Sequence, residues 1–251
     1  MKAVRDFFIP DNYVDGISGD AYEQAKPVIY AFDALARLTY HSVYVIDYYR
    51  KNFLYVSDNP LFLCALQPQE VKERGYAFYF DHVPEDELDM LLEINRAGFA
   101  FFSRTPVEDR IRLSISYDFH ILNRNNRILI NHKQTPIMLA GNGNIWLAAC
   151  IVSPASRHTA GNVEAFMAGK GVSWRYSFVS RKWEQKENPA LKDREREIIM
   201  LASQGLTMNE IAGELHITPS AVKYHKKNLF ERLDVKNISE ALSVVSNGKM
   251  M

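Results

Sequence analysis

The feature that most constrains this chain is a pair of capped helix starts separated by a three-residue turn near its C-terminus. Thr207 and Glu210 stand at the spacing of a capping box, in which the hydroxyl meets an orphan backbone donor and the carboxylate reaches back to the cap. Ile211, Ala212 and Leu215 follow as an apolar stripe, and the helix is expected to end near Leu215. His216, Ile217 and Thr218 leave room only for a tight turn, after which Thr218-Pro219 supplies a second cap with proline in the first helical position. A helix to about Leu233 is expected from there. Two helices joined this tightly form a helix-turn-helix, which projects the second helix to where it can enter a major groove.

The face it projects follows from helical spacing. Val222, Leu229 and Leu233 recur on one side and should pack inward, leaving Ser220, Lys223, Tyr224, Lys227 and Glu231 outside. Over the whole chain 30 Lys and Arg balance 30 Asp and Glu, so bulk charge cannot hold this protein to nucleic acid or to an anionic membrane. Between His216 and Lys236, however, five basic residues face two acids, and that local excess is what the zero total conceals. Upstream, Leu191 to Leu201 reads as a helix with Leu191, Ile198, Leu201 and Ala202 on one face and Gly205 as its terminator. Downstream, Asn237 caps a last helix with Glu240, and Ala241, Leu242, Val244 and Val245 must be buried or paired.

The stretch LKDREREIIMLASQGLTMNEIAGELHITPSAVKYHKKNLFERLDV resembles the LuxR-type (FixJ/GerE-like) DNA-binding domain, over about residues 191–245. Its marks are Arg194-Glu195, Gly205-Leu206-Thr207, Glu210-Ile211-Ala212 and Val222-Lys223-x-His225. The resemblance implies a four-helix, all-α domain that binds double-stranded DNA, reading bases with Lys223, Tyr224 and Lys227. Ser220, Thr218, Thr207 and Lys226 complete the expected DNA-binding set, and His225 is expected to be packed rather than to read bases. The resemblance further implies a homodimer with its seam on the last helix, at Ala241, Leu242 and Val245, and RNA polymerase as a further candidate partner. Three positions depart from the family pattern. Lys192 stands where a hydroxyl usually caps the first helix, so Asp193 is expected to take that role; Ala221 replaces a frequent Thr, and Arg232 a frequent Lys.

The first two thirds of the chain have a different grammar. Val43 to Tyr49 and Phe53 to Ser57 are short β-rich runs joined by Arg50-Lys51-Asn52. Leu113, Ile115, Tyr117, Phe119 and Ile121 alternate with polar residues as one strand with an apolar face. Asn123 to Asn126 turns into a strand near Arg127 to Pro136, and Gly141 to Asn144 turns into the apolar strand Ile145 to Val152. Helices lie between, notably Glu85 to Ala97, with Leu88, Leu91, Leu92 and Asn95 on one side. This order, with Tyr55-Val-Ser-Asp-Asn-Pro60 and His82-Val-Pro-Glu-Asp86, resembles a PAS domain. The resemblance implies a five-stranded antiparallel sheet with helices across one face and a small cavity, whose candidate lining is Tyr117, Phe119, Ile121, Ile128, Ile130 and Trp146.

The expected organisation is therefore α+β. Residues 1–41 form a helical extension, including Pro27 to Thr39; 42–183 are a PAS-like sensory domain with an extension; 184–190, with Pro189, are a linker; 191–251 are the helix-turn-helix domain. Trp174 to Trp183 is expected to be one further strand. No cofactor is expected, and the ligand is unknown. Cys64 lacks the Gly-x-Asn that precedes the reactive cysteine of flavin photoreceptors and is expected to be a buried apolar thiol, while His82 is expected in a cap or turn rather than as a haem ligand. His120 and His132 lack acid partners, so no metal site is expected. Two cysteines, no leader-like start and no long apolar run suit a cytoplasmic protein without a membrane segment. The reading is a sequence-specific transcription regulator controlled by a ligand- or partner-sensing domain. The alternatives are an acyl-homoserine-lactone-like quorum regulator and an enzyme with an appended DNA-binding domain, although no G-x-S-x-G, phosphate-cradling loop or zinc pair occurs.

Overall fold

A computed structural model describes residues 3–124, 126–187 and 191–247. The chain forms two compact units, one comprising residues up to 167 with 175–183, the other 168–174 with the residues from 184 onward.

The first unit is built on a sheet. The sheet's strands are β1 (Ser42–Asp47), β2 (Asn52–Val56), β3 (Leu113–Asn123), β4 (Asn126–Leu139), β5 (Ile145–Pro154), β6 (Gly161–Met167), β7 (Val172–Ser177) and β8 (Lys182–Glu187), β7 and β8 each having residues in both units, in the order β2-β1-β5-β4-β3-β6-β7-β8. Pairings from β2 through β6 are antiparallel. The five expected strands are contiguous, but the sheet has eight, because β6 continues it beyond β3. The segment 174–183, expected as one strand, holds the end of β7, a turn with Arg181 at positive φ, and the start of β8. Glu184–Glu187, expected as linker, belong to β8, and Pro189 lies outside the described residues.

Helices α1 (Gly19–Arg37), α2 (Pro60–Leu63), α3 (Pro68–Arg74), α4 (Ala77–His82), α5 (Glu85–Arg104) and α6 (Val107–Arg110) complete the unit. α1 starts eight residues before the expected Pro27, because the Ser18 hydroxyl accepts from Ala21 N at 3.2 Å and caps it there. α5 opens on Glu85, Asp86 and Glu87, which suit the positive end of a helix, and buries Leu88, Leu91, Leu92, Ile94, Phe99 and Phe102. It runs past Ala97 to Arg104, where the Arg110 guanidinium donates to Thr105 O, Gly143 O and Ser103 O at 3.0, 2.8 and 2.9 Å and ties the helix end to the β4–β5 turn.

The covered face of the sheet is aromatic and polar together. Tyr44 stacks on Phe62 at 4.4 Å between centroids, and its hydroxyl meets Tyr79 Oη at 2.7 Å and His132 Nε2 at 2.5 Å. Gln134 Nε2 donates to Tyr48 Oη at 2.7 Å. On the other face Ser116 and Asp118 are also buried, and Asp118 accepts from Asn131 Nδ2 at 2.7 Å and Asn162 Nδ2 at 2.9 Å. The two histidines on neighbouring strands diverge: His132 shares the inner face, whereas His120 Nδ1 meets Glu87 Oε1 at 2.6 Å, an acid partner 33 residues away. Among the described residues no cluster of three metal-ligating side chains occurs, and no helix is long and apolar enough to cross a membrane.

The second unit holds α7 (Asp193–Ser203), α8 (Met208–Glu214), α9 (Pro219–Leu233) and α10 (Ile238–Asn247). One core joins Ile198, Ile211, Ala212 and Val222; another joins Leu191, Ile199, Leu229, Leu233, Val235, Ala241 and Val245.

Burial lowers the His132 pKa to about 3, so the folded chain keeps this imidazole neutral while the unfolded chain protonates near 6.5. The stability this site contributes is complete above that unfolded value and is lost as pH falls from about 6.5 toward 3. Equilibrium denaturation should show a loss of up to about 1.4 kcal/mol per pH unit across this window, and His132→Gln should flatten the slope.

Candidate functional sites

The α8–α9 turn is set by local chemistry. Thr207 Oγ1 accepts from Glu210 N at 3.4 Å and donates to Glu210 Oε2 at 2.7 Å, and the same carboxylate accepts from Thr207 N at 2.7 Å. His216 takes a positive φ of 52°, and Ile217 N donates to Ala212 O at 3.0 Å, which turns the chain within three residues. Thr218 Oγ1 then accepts from Ala221 N at 3.2 Å and opens α9. The hydroxyls of Thr207 and Thr218 thus serve the caps, although both residues stay exposed.

α9 buries Val222, Leu229 and Leu233 and exposes Ser220, Lys223, Tyr224 and Lys227, with Tyr224 63% exposed. Lys227 Nζ lies 3.7 Å from Glu231 Oε1, one turn on. Lys226 is half-buried and leans over the Phe230 ring, its ammonium 5.4 Å from the centroid. His225 is half-buried beside the Tyr224 ring. Spacing therefore places Lys223, Tyr224 and Lys227 on one open face and leaves Lys226 at its edge.

Two expectations for this unit are corrected. Lys192 occupies the cap position of α7 without a side-chain cap bond, and the acid that serves this helix start is Glu195 rather than Asp193: Glu195 Oε2 accepts from Lys192 N at 2.9 Å, while Asp193 pairs with Arg196 in the first turn. The same Glu195 carboxylate, 2% exposed, also accepts from the Arg232 guanidinium, pinning α7 to the end of α9. On α10, Ala241 and Val245 are fully buried in the unit's own core because α10 turns its apolar stripe onto α7 and α9. Neither offers surface for a seam, and Leu242 is partly buried against the same cluster.

In the first unit a cavity of about 70 Å³ lies between α5 and the sheet. Its walls include Phe99 and Phe102 of α5, Ile115 and Tyr117 of β3, Gln134 of β4 and Ile145 of β5. Gly98 also lines it; a Cβ there would come within 3.3 Å of Ile115 Cδ1, so α5 approaches β3 closely at this point. Of the six expected lining residues Tyr117 alone is among the walls. Phe119, Ile121 and Ile130 are fully buried and Trp146 nearly so, while Ile128 is half-buried outside the walls. The alternation found the correct face, but the cavity opens at the Leu113 end of β3, and the other end is filled by rings such as Tyr79, 6.4 Å from Phe119. Gln134, Asn95 and Ser114 are polar walls that spacing did not single out as lining. Every wall side chain is uncharged, and the Tyr117 hydroxyl has no hydrogen-bond partner among the described residues.

The remaining residues singled out by chemistry lie elsewhere. His82 closes α4, with Nδ1 3.1 Å from Leu122 O. Cys64 is buried, and burial pushes its thiol up to about 12.

A short second helix held by two side-chain caps, followed by a helix with an open basic face, defines a helix-turn-helix module. The family model for bacterial regulatory proteins of the luxR family matches residues 189–245. The spore germination protein GerE of Bacillus subtilis strain 168 is 41% identical over 59 residues, covering 24% of this chain and 80% of that protein. The chain belongs to the LuxR family of bacterial regulatory proteins. The CsgBAC operon transcriptional regulatory protein of Escherichia coli strain K12 is 39% identical over 62 residues, 25% of this chain, and the match spans only 29% of that relative's length. Among solved structures, the phage VqmA–DPO complex covers 90% of this chain and 87% of its own at 14% identity, with a TM-score of 0.32.

Removing the Glu195 carboxylate strips α7 of its cap and leaves Arg232 without its buried partner. Glu195→Ala should lower the stability of this unit by about 3 kcal/mol in denaturant titration, whereas Asp193→Ala should change it by less than about 0.5 kcal/mol.

Proposed function

We propose that this chain is a sequence-specific, dimeric DNA-binding transcription regulator of the cytoplasm, whose PAS-like unit binds a small uncharged ligand and thereby controls the helix-turn-helix. The observation that carries the DNA-binding reading is the open face of α9, where Lys223, Tyr224 and Lys227 stand clear of the core. A lysine can donate to guanine O6 or N7, and the Tyr224 ring can meet a thymine methyl. With the Thr207 and Thr218 hydroxyls engaged in caps and Ala221 in place of a hydroxyl, Ser220 and the exposed lysines are left to position the phosphates.

The PAS-like reading is supported by the contiguous strands β2-β1-β5-β4-β3, by the helices α2–α5 that the chain inserts between β2 and β3, and by the cavity beneath α5. Walls without charge disfavour an ionic occupant, since an unpaired buried charge is costly. The Tyr117 hydroxyl and the Gln134 carboxamide are the groups that would orient a ligand. The reading assigns no cofactor, so the occupant is colourless. Two copies on an inverted repeat would meet outside Ala241 and Val245, and ligand binding would act by shifting how well two recognition helices fit their half-sites.

Two experiments test the reading. Duplexes selected from a random pool provide the DNA probe: Lys223→Ala combined with Lys227→Ala should weaken the best duplex by more than about tenfold and reduce the salt slope by about one to two, with an unchanged unfolding midpoint. Unaltered affinity would refute the assignment of this face. For the cavity, mass spectrometry of small molecules released from the purified protein should identify the occupant, and Tyr117→Phe should retain it at least about fivefold less well through loss of one buried hydrogen bond.

A further inference from the structure

The chain before α1 closes one end of the first unit, and its attachments differ in kind from those of the sheet. Residues 4–7 and 10–12 form two short 3₁₀ turns with no ladder pairing. Phe7 inserts between Tyr76, Tyr79 and Phe80 at 5.5, 5.4 and 5.7 Å, and Phe8 lies 4.4 Å from Tyr76. The hydrogen bonds that hold this segment to the rest of the unit come from asparagine amides. Asn12 accepts from Ile145 N at 2.8 Å and donates to Ile145 O at 3.0 Å, Asn95 Nδ2 donates to Phe7 O at 2.7 Å, and Asn142 and Asn144 donate to Tyr13 O at 2.9 and 2.8 Å.

Two of these anchors are also cavity walls. Ile145 and Asn95 line the cavity, and Phe99 faces both the cavity and the groove under Phe8, Ile9 and Pro10. Tyr48, on the floor of that groove, is the hydrogen-bond partner of the cavity's Gln134. Just beyond the segment, Gly16 has a positive φ of 67°, a conformation that favours glycine, and open space where a Cβ would be.

We propose that residues 3–14 are a strap that gates the cavity, swinging about Gly16 when the Asn12–Ile145 and Asn95–Phe7 bonds part. The strap closes the path from solvent past Tyr48 and Phe99 to the space between Tyr117 and Gln134. Its release costs a few amide bonds and the ring contacts of Phe7 and Phe8 and leaves every strand pairing intact, which is the profile of a sub-global opening. Its purpose as a ligand gate rests on the ligand reading above; its motion does not.

A native thiol reports on that motion. Cys150 is fully buried and pairs directly across from Gln134, so both side chains lie on the same side of the sheet. Cys64 is also buried, but the adjoining Ala65 lies with Asn123 and Asn126 of the β3–β4 hairpin, at the far end of β3 from the cavity. The full chain is pulsed with iodoacetamide under native conditions, and each cysteine is quantified separately by peptide mass spectrometry. Asn12→Ala should speed alkylation of Cys150 by about tenfold or more and leave Cys64 unchanged. The pair Asn142→Ala and Asn144→Ala, at an exposed and a half-buried turn position, frees Tyr13 O and should speed Cys150 by a few fold. Equal acceleration at both cysteines would mean that the segment is a plain part of the fold, and no acceleration at Cys150 in either variant would mean that the strap is not the route; each overturns the proposal. A strap that opens as described, together with unaltered ligand retention in Tyr117→Phe, would remove the ligand reading and leave the strap standing.

Discussion

The inner face of the sheet carries phenols, an imidazole, a carboxamide and a thiol among its hydrocarbon, and none of these can be hidden without a partner at low cost. Much of the first unit is arranged around that constraint. Tyr44 Oη links Tyr79 Oη to His132 Nε2 in a chain, leaving His132 Nδ1 without a partner among the described residues, and Tyr48 meets Gln134. Helix α4 is placed where Tyr79 can reach Tyr44, and α5 is drawn close enough at Gly98 to cover the rest. Where the polar pairs and rings run out, toward the start of β3, a cavity remains, with the Tyr117 hydroxyl as its unanswered donor.

The second unit meets the same constraint at its helix ends. Each of α7 to α10 begins with backbone donors that need acceptors, and the chain supplies Glu195, Thr207 with Glu210, Thr218, and Asn237 with Glu240. Glu240 additionally accepts from Lys236 N at 2.9 Å and from Asn237 Nδ2 at 2.7 Å. These caps fix where each short helix starts, which in turn fixes the rotation of α9 and the side chains it presents. The open face of α9 is a by-product of cap chemistry as much as of the apolar stripe.

That is why the second unit was legible in the sequence and the first only in part. Caps and short turns are local: Thr207, Glu210, Thr218, Pro219, Asn237 and Glu240 each act within four residues, so spacing alone locates them. Glu195 stands at the same spacing from Lys192 but escaped because a lysine rather than a hydroxyl occupies the cap, and because its second partner, Arg232, lies 37 residues away. In the first unit the alternation of β3 gave the buried face correctly but not the position of the cavity, which depends on how α5 and α4 cover different ends of one strand. β6 was missed, and β7 and β8 were merged into one strand, for a related reason. β6, Gly-Asn-Val-Glu-Ala-Phe-Met, has small and charged residues at strand positions and is defined by pairing with β3 rather than by its own composition. Two of the three residues expected at an α10 seam, Ala241 and Val245, face the unit's own core instead, because an apolar stripe does not say whether its partner is the same chain or another.

The half-buried position of Lys226 over Phe230 has a geometric consequence for reading. It leaves Lys223 and Lys227 as the paired cations of the open face, four residues apart and therefore about 6 Å apart along the helix axis. Successive base pairs are separated by about 3.4 Å, so two lysines laid along a groove address positions about two steps apart. On the DNA-binding reading proposed above, with Tyr224 beside them, one copy would inspect a word of only three or so letters. A vocabulary that short recurs by chance every few dozen base pairs, and on that reading selectivity in a genome would have to come from the distance and orientation between two such words.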